Sequence, residues 1–174
     1  MRPSPLQLRH VLYTKVSVLG NPSVDKERPM RAAGFDFNGV NIKAKVGVGQ
    51  KEGQDEDPRD FVVNLEITID GKEGNPAPYL VDIAVVGVFN VLSTLARERR
   101  RDLVTVNGAS ILYGVVREVV LSLTSRFSTG PMTLPGMNFE DTVLSGSPIP
   151  SGKSTPKTEK LPSVRKARKA SKKA

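Results

Sequence analysis

Residues 107–141 read NGASILYGVVREVVLSLTSRFSTGPMTLPGMNFED, and the rest of the chain is interpreted around this stretch. Asn107, Gly108 and Ser110 predict a turn and a helix N-cap, because a short side-chain oxygen can accept a hydrogen bond from an orphan backbone N–H. Beyond them, apolar residues recur at about 3.6-residue spacing and predict one amphipathic helix: Ile111, Leu112, Val115, Val116, Val119, Val120, Leu123 and Phe127. The sequence Ser-Thr-Gly-Pro at 128–131 predicts the end of that helix.

An unusually apolar loop follows the predicted helix. It carries Met132, Leu134, Met137 and Phe139, and Pro135 and Gly136 interrupt it. Large apolar side chains on an irregular segment need a cover, either the protein core or a bound partner. Methionine and leucine on a loop also suit an adaptable groove for varied apolar segments.

Four segments before the helix alternate apolar and polar residues with a period of two, which predicts strands. The first has Leu6, Leu8, Leu12, Val16 and Val18 in one register with His10 and Thr14; the others are 40–49, 61–70 and 79–91, and the last is apolar on both faces. Short turns between consecutive strands favour antiparallel pairing, because parallel strands need long crossovers. With a short helix at 93–103 before the long one, the sequence predicts an α+β fold: a four-stranded antiparallel sheet followed by two helices.

Composition excludes several classes of function. The chain has no cysteine and a single histidine, His10, so disulfides and thiolate chemistry are ruled out. The chain has few candidate metal ligands, because acidic residues cluster only in the turn around Asp57 and their spacing there does not match a calcium-binding loop. We therefore expect no metal, no cofactor and no enzyme activity. Because the sequence shows no secretory signal and no apolar run of about 20 residues, we expect a cytoplasmic protein without a transmembrane segment.

The C-terminal residues differ in character from the rest. Beyond Leu144 the chain carries nine Lys or Arg and one acid, which accounts for its whole formal net charge of +8. Pro, Ser and Lys dominate there, so the pattern predicts a folded domain over 1–144 and a disordered Lys/Arg-rich tail over 145–174. Such a tail can bind nucleic acid or anionic surfaces with little sequence preference; the candidate cations are Arg165, Lys166, Arg168, Lys169, Lys172 and Lys173.

Several short motifs resemble those of the SecB family of protein-export chaperones. They are the run LYGVVRE at 112–118, Ser125-Arg126, Leu134, and Asn138-Phe139, beside the family's L-F-P-Y-A-R-E helix, S-R-G corner and L-x-P-x-N-F ending. The segment HVLYTKVSV at 10–18 is similar to the family's first strand, which also has a Y-T-K triplet. Gly114 stands in place of the family's proline and Phe127 in place of its glycine, which indicates a divergent branch.

The resemblance covers roughly Leu8 to Phe139 and implies a homotetramer, a dimer of dimers, that holds non-native polypeptides without nucleotide. Under that implication many weak apolar contacts along one extended client would sum to useful affinity. The residues that we predict to form the client groove are Tyr13, Val16, Val18, Ile42, Met132, Leu134, Met137 and Phe139. A role in protein export is the first expectation.

Two alternatives stand beside export. Members of the family that work with the SecA motor carry acidic side chains after the Y-T-K triplet, whereas Val16, Ser17, Val18 and Leu19 follow it here. The basic tail also has the opposite sign to an export-type C-terminus. Both features argue against SecA binding and favour a SecB-like chaperone that protects an antitoxin client in a toxin–antitoxin system. A nucleic-acid-binding accessory protein acting through the tail is the alternative outside the chaperone class.

Overall fold

A computed structural model describes residues 4–24, 32–51, 53, 56–93 and 95–140. Its elements follow in the order β1 (Leu6–Gly20), β2 (Lys43–Gln50), β3 (Asp60–Ile69), β4 (Tyr79–Val91), α1 (Arg97–Leu103) and α2 (Ala109–Thr124). The four strands form one sheet in the order β1-β4-β3-β2, with every neighbouring pair antiparallel. The prediction of an α+β fold with a four-stranded antiparallel sheet is confirmed.

The core lies between one face of the sheet and α2. On β3 and β4 the alternate residues face the helix and are buried, among them Phe61 and Leu65 on β3 and Ile83 and Phe89 on β4. Leu112, Val116 and Val120 of α2 are fully buried against them. The predicted apolar stripe is therefore only partly buried, because Ile111, Leu123 and Phe127 remain exposed.

The two predicted helices are one continuous helical segment, and the predicted turn at Asn107 and Gly108 is wrong. A π-helical turn (Val104–Gly108) joins α1 directly to α2, and Ser110 donates its hydroxyl to the carbonyl of Val106, 2.8 Å away, instead of capping a helix. Gly108 packs so close to the sheet that a Cβ there would lie 3.0 Å from Cγ2 of Val63. Tertiary packing therefore favours helix at a position where local propensity favours a turn.

The strand predictions are confirmed with two adjustments. β1 has irregularities between Leu8 and His10 and between Tyr13 and Lys15, so the simple alternation along it does not hold. Leu12, which the alternation placed on the same face as Leu6, is 60% exposed and lies opposite Val86 on the other face of the sheet. β2 begins only at Lys43, so Val40 and Ile42 precede it.

The helical segment Arg97–Thr124 is 28 residues long, and by length and composition alone it could cross a membrane. Core helices of water-soluble domains share that length and composition, and the buried side of α2 packs on the sheet here. The tail predicted to be disordered, residues 145–174, lies outside the described residues, and so do its six candidate cations.

Candidate functional site

The apolar loop after α2 is an extended strap, which we define as residues 130–140. Pro131 and Pro135 have a fixed φ, and each restricts the residue before it to extended conformations. Met132 and Leu134 are fully buried while Thr133 between them is exposed, as in an extended segment with one side on the core. The sequence alternation of the strap therefore points its larger side chains inward.

Side chains, rather than a strand ladder, hold the strap in place. Four of them hydrogen bond to its backbone: Tyr79 Oη to the Gly130 carbonyl (2.6 Å), Thr124 Oγ1 to the Met132 N–H (2.9 Å), Arg117 Nε to the Leu134 carbonyl (2.9 Å) and Tyr113 Oη to the Pro135 carbonyl (2.7 Å). At 100° per residue, positions 113, 117 and 124 share one face of α2 within about 40°. The strap consequently runs along that face of the helix.

A pocket of about 590 Å³ opens between the strap and the segment that precedes β2. Its lining is mixed, with apolar and aromatic side chains and a few polar ones: Phe35, Asp36, Phe37, Asn38, Val40, Ile42, Thr133, Pro135, Gly136 and Met137. Phe35 and Phe37 stack edge to face, with ring centroids 5.0 Å apart and an interplanar angle of 81°. Such a cleft can accept aliphatic or aromatic side chains.

The wall opposite the strap is fixed by turns. The Asn75 side chain donates to the Asn38 carbonyl (2.9 Å), and the Asn75 N–H donates to the Gly39 carbonyl (2.7 Å). Gly39 has a φ of +78°, which a residue with a Cβ rarely adopts. The segment that forms this wall is also linked to the residue before the strap, because the Ala32 N–H donates to the Thr129 carbonyl at 3.1 Å. Both walls of the pocket are thus anchored to the same domain.

Tyr113 behind the strap and Asp36 in the pocket lining both have hydrogen-bond partners within the domain. Burial raises the pKa of Tyr113 to about 12, so its phenol remains a hydrogen-bond donor at neutral pH. Asp36 accepts hydrogen bonds from the backbone and side-chain amides of Asn38, at 3.0 and 2.9 Å. These hydrogen bonds hold the two walls, and the pocket offers apolar and aromatic side chains beside the polar Asp36, Asn38 and Thr133.

The structure distributes the eight predicted groove residues over three environments. Ile42 and Met137 line the pocket. Met132, Leu134 and Phe139 belong to the strap and are buried in the core, and Val18 is buried on β1. Tyr13 and Val16 are 41% and 46% exposed on β1, and they are not among the residues that line the pocket. The pocket therefore brings two of the eight together, and three more anchor the strap in the core.

Sequence reasoning missed Phe35, Phe37 and Val40. Their signal was available in AAGFDFNGV at 32–40, where two aromatic residues at alternate positions stand between glycines in an otherwise polar loop. Aromatic residues are scarce in this chain, at 5% of the total, so two of them in one loop are notable.

No metal-binding cluster occurs among the described residues. They contain no group of three or more His, Cys, Asp or Glu side chains placed to hold an ion. His10 lies exposed on β1 opposite Val88, remote from the pocket lining. An open cleft of mixed polar and apolar lining beside an antiparallel sheet, with Asp36 as its one acidic lining residue, suits the binding of a ligand or a polypeptide segment.

Comparison with known proteins places the chain in a family. Residues 27–144 match the model of SecB, described as preprotein translocase subunit SecB. The chain belongs to the SecB family, which is a family of chaperones and not of enzymes. The resemblance seen in the sequence is confirmed, and membership supports a chaperone role.

Two solved structures align with about three quarters of the chain at low sequence identity. A SecB-like chaperone of Mycobacterium tuberculosis, solved with a peptide from an antitoxin, is 17% identical with a TM-score of 0.48, over 76% of this chain and 90% of that one. A Streptococcus agalactiae protein of unknown function is 12% identical with a TM-score of 0.44, over 75% of this chain and 97% of that one. No curated protein matches.

Proposed function

We propose that this protein is an ATP-independent holdase that binds non-native polypeptides, and that the pocket between Phe37 and Met137 receives their apolar side chains. The observation that carries the proposal is an open pocket lined by aromatic and thioether side chains in a member of the SecB family. A non-native chain exposes apolar side chains that a folded protein buries, and their transfer from water stabilises the complex by about 25 cal/mol per Å² of apolar area.

Clients of this kind are bound along an extended length. Each pocket contributes a modest affinity, and several pockets in one oligomer raise the total by effective concentration. We propose a homotetramer, a dimer of dimers, for this reason. β1 supports it as the surface of association, since it is a 15-residue edge strand that leaves Leu12, Val16 and Leu19 exposed.

The oligomer proposal has a simple test. Sedimentation equilibrium should give four times the chain mass of 18.9 kDa, and a monomer would contradict it.

The client is proposed to be a precursor for export or an antitoxin, and one feature favours the second. Ser17 and Leu19 of β1 occupy the face of the sheet opposite α2, through their pairing with Asp82 and Leu80. Acidic side chains, which the resemblance leads us to expect there in partners of SecA, are replaced by a hydroxyl and an apolar group. We therefore propose a cytoplasmic chaperone that acts without SecA, with an antitoxin as the favoured client class.

Aggregation of a chemically unfolded protein diluted into buffer tests the holdase proposal. We expect the full chain and a version ending at Leu144 to suppress light scattering alike, without ATP and near one oligomer per client. If neither version suppresses aggregation, the holdase proposal fails. If only the full chain does so, the activity belongs to the basic tail, and it should then weaken steeply with salt.

A further inference from the structure

The strap wall of the pocket lacks the backbone pairing that usually fixes an extended segment. Among the described residues, no backbone–backbone hydrogen bond involves residues 131–139. Met132 and Leu134 are fixed by full burial, but Pro135 and Met137 are only half-buried and Gly136 is exposed. The part of the strap that faces the pocket therefore needs a different restraint.

Tyr113 contacts this wall at both of its ends. Its hydroxyl donates to the Pro135 carbonyl at 2.7 Å, before the exposed Gly136. Its ring packs edge to face on Phe139, with centroids 5.7 Å apart and an interplanar angle of 64°. Met137 lies between these two contacts in the chain, and it lines the pocket with Phe35 and Phe37.

We infer that Tyr113 is a positioning residue for client binding. By holding Pro135 and Phe139 it fixes the short arc that carries Met137, and thereby the width of the pocket between Met137 and the Phe35–Phe37 pair. Arg117 assists from one turn along the helix, since its Nε donates to the carbonyl of Leu134, the residue before Pro135. This inference rests on the proposed function, because it concerns the same pocket.

A second phenol supplies a matched control. Tyr79 also donates its hydroxyl to a carbonyl of the strap, that of Gly130 at 2.6 Å. Gly130 is the first residue of the strap and lies outside the pocket lining. Tyr113→Phe and Tyr79→Phe each delete one oxygen atom and one phenol–carbonyl hydrogen bond, and each keeps the ring contact, with Phe139 or with Phe127. Tyr79 also has a side-chain hydrogen bond with Thr129, so Tyr79→Phe should lose at least as much thermal stability as Tyr113→Phe.

The affinity for an unfolded client distinguishes a positioning role of Tyr113 from a purely stabilising one. With fluorescein-labelled, reduced and alkylated α-lactalbumin as the unfolded probe, anisotropy should show binding weakened about fivefold or more by Tyr113→Phe and changed less than about twofold by Tyr79→Phe. Equal weakening by both variants, or none by Tyr113→Phe, would overturn the inference. If the wild-type chain binds no probe, the proposed function fails.

The width of the pocket is measured without any client. Because the chain has no cysteine, spin labels can be placed on Asn38→Cys and Gly136→Cys across the pocket. A side chain at Gly136 meets no atom within 4 Å. Tyr113→Phe should broaden the distance distribution between the labels, and Tyr79→Phe should leave it unchanged. An unchanged distribution in Tyr113→Phe overturns the inference whatever the binding assay shows.

Discussion

At the scale of single residues, two glycines set how closely the helix lies on the sheet. A Cβ at Gly87 of β4 would lie 2.6 Å from Cε2 of Phe89 and 2.8 Å from Cδ2 of Leu112. Both neighbours are fully buried, so neither has room to move aside. Gly108 plays the corresponding part in the helical segment, against Val63. The close approach places α2, and with it the residues that hold the strap.

Gly87→Ala should lower the free energy of unfolding by about 1–3 kcal/mol, because an added methyl overpacks the core. Gly114→Ala is the control on the exposed side of α2, where nothing lies within 4 Å of the new Cβ. It should raise the free energy of unfolding by about 0.5–1 kcal/mol, the helix-propensity difference between Ala and Gly. Urea unfolding measures both, and an unchanged stability of Gly87→Ala would contradict the packing described.

Residue-level prediction of the pocket from the sequence was partial for a physical reason. The apolar pattern shows which segments need a cover, and the family resemblance then makes Ile42, Met132, Leu134, Met137 and Phe139 groove candidates. Spacing does not show which of them face the core and which face the pocket. That choice depends on the path of the strap along α2, which Tyr113, Arg117 and Thr124 set through hydrogen bonds.

At the scale of elements, uniform patterns were predicted well and locally irregular ones were not. β4 has the predicted bounds, Tyr79–Val91, and its side chains alternate between buried and half-buried without interruption. β1 contains two irregularities, each of which shifts the alternation, so its exposed face could not be read from a period of two. Asn107 and Gly108 have turn propensity, but packing of Gly108 against Val63 outweighs it.

The start of the helical segment is tied to the turn before β3 through Arg100. This arginine is 5% exposed, and it donates to the Leu95 carbonyl (2.9 Å), the Pro58 carbonyl (3.1 Å) and the Asp57 carboxylate (2.5 Å). The hydrogen bond from Arg100, and then that from Arg59, lowers the pKa of Asp57. The folded state therefore favours the ionised carboxylate.

The hydrogen bond between Arg100 and the Asp57 carboxylate makes the free energy of unfolding depend on pH. An unfolded Asp takes up a proton below a pKa of about 3.9, whereas folded Asp57 resists protonation until lower pH. The stabilisation of the folded state by ionised Asp57 is complete above the unfolded pKa. It is lost as the pH falls through the lowered pKa of the folded state. Asp57→Asn should consequently lose less stability than wild type on acidification from about pH 5 to pH 2, as measured by urea unfolding.

The control for this prediction is Asp102→Asn. Asp102 is exposed on α1 and makes no hydrogen bond or ion pair with the described residues. That variant should follow the wild-type pH profile. Parallel profiles for wild type and Asp57→Asn would show that the carboxylate does not couple α1 to the turn.

At the scale of the whole molecule, the proposed surfaces of client binding and of association are spatially separate. Ile42 in the pocket lies directly before β2, at one edge of the sheet, and β1 forms the other edge. Association through β1 would leave the pocket open, so one oligomer can present several pockets to a single client. This arrangement is what avidity along an extended chain requires.

The central claim is that non-native polypeptides bind at the pocket. Single cysteines introduced as Thr133→Cys at the pocket and Lys45→Cys on β2, whose neighbour Glu66 faces away from the helix, can carry a benzophenone crosslinker in this cysteine-free chain. On irradiation with an unfolded client, we expect crosslinked client at position 133 and little at position 45. Equal yields at both positions, or more at position 45, would contradict the claim.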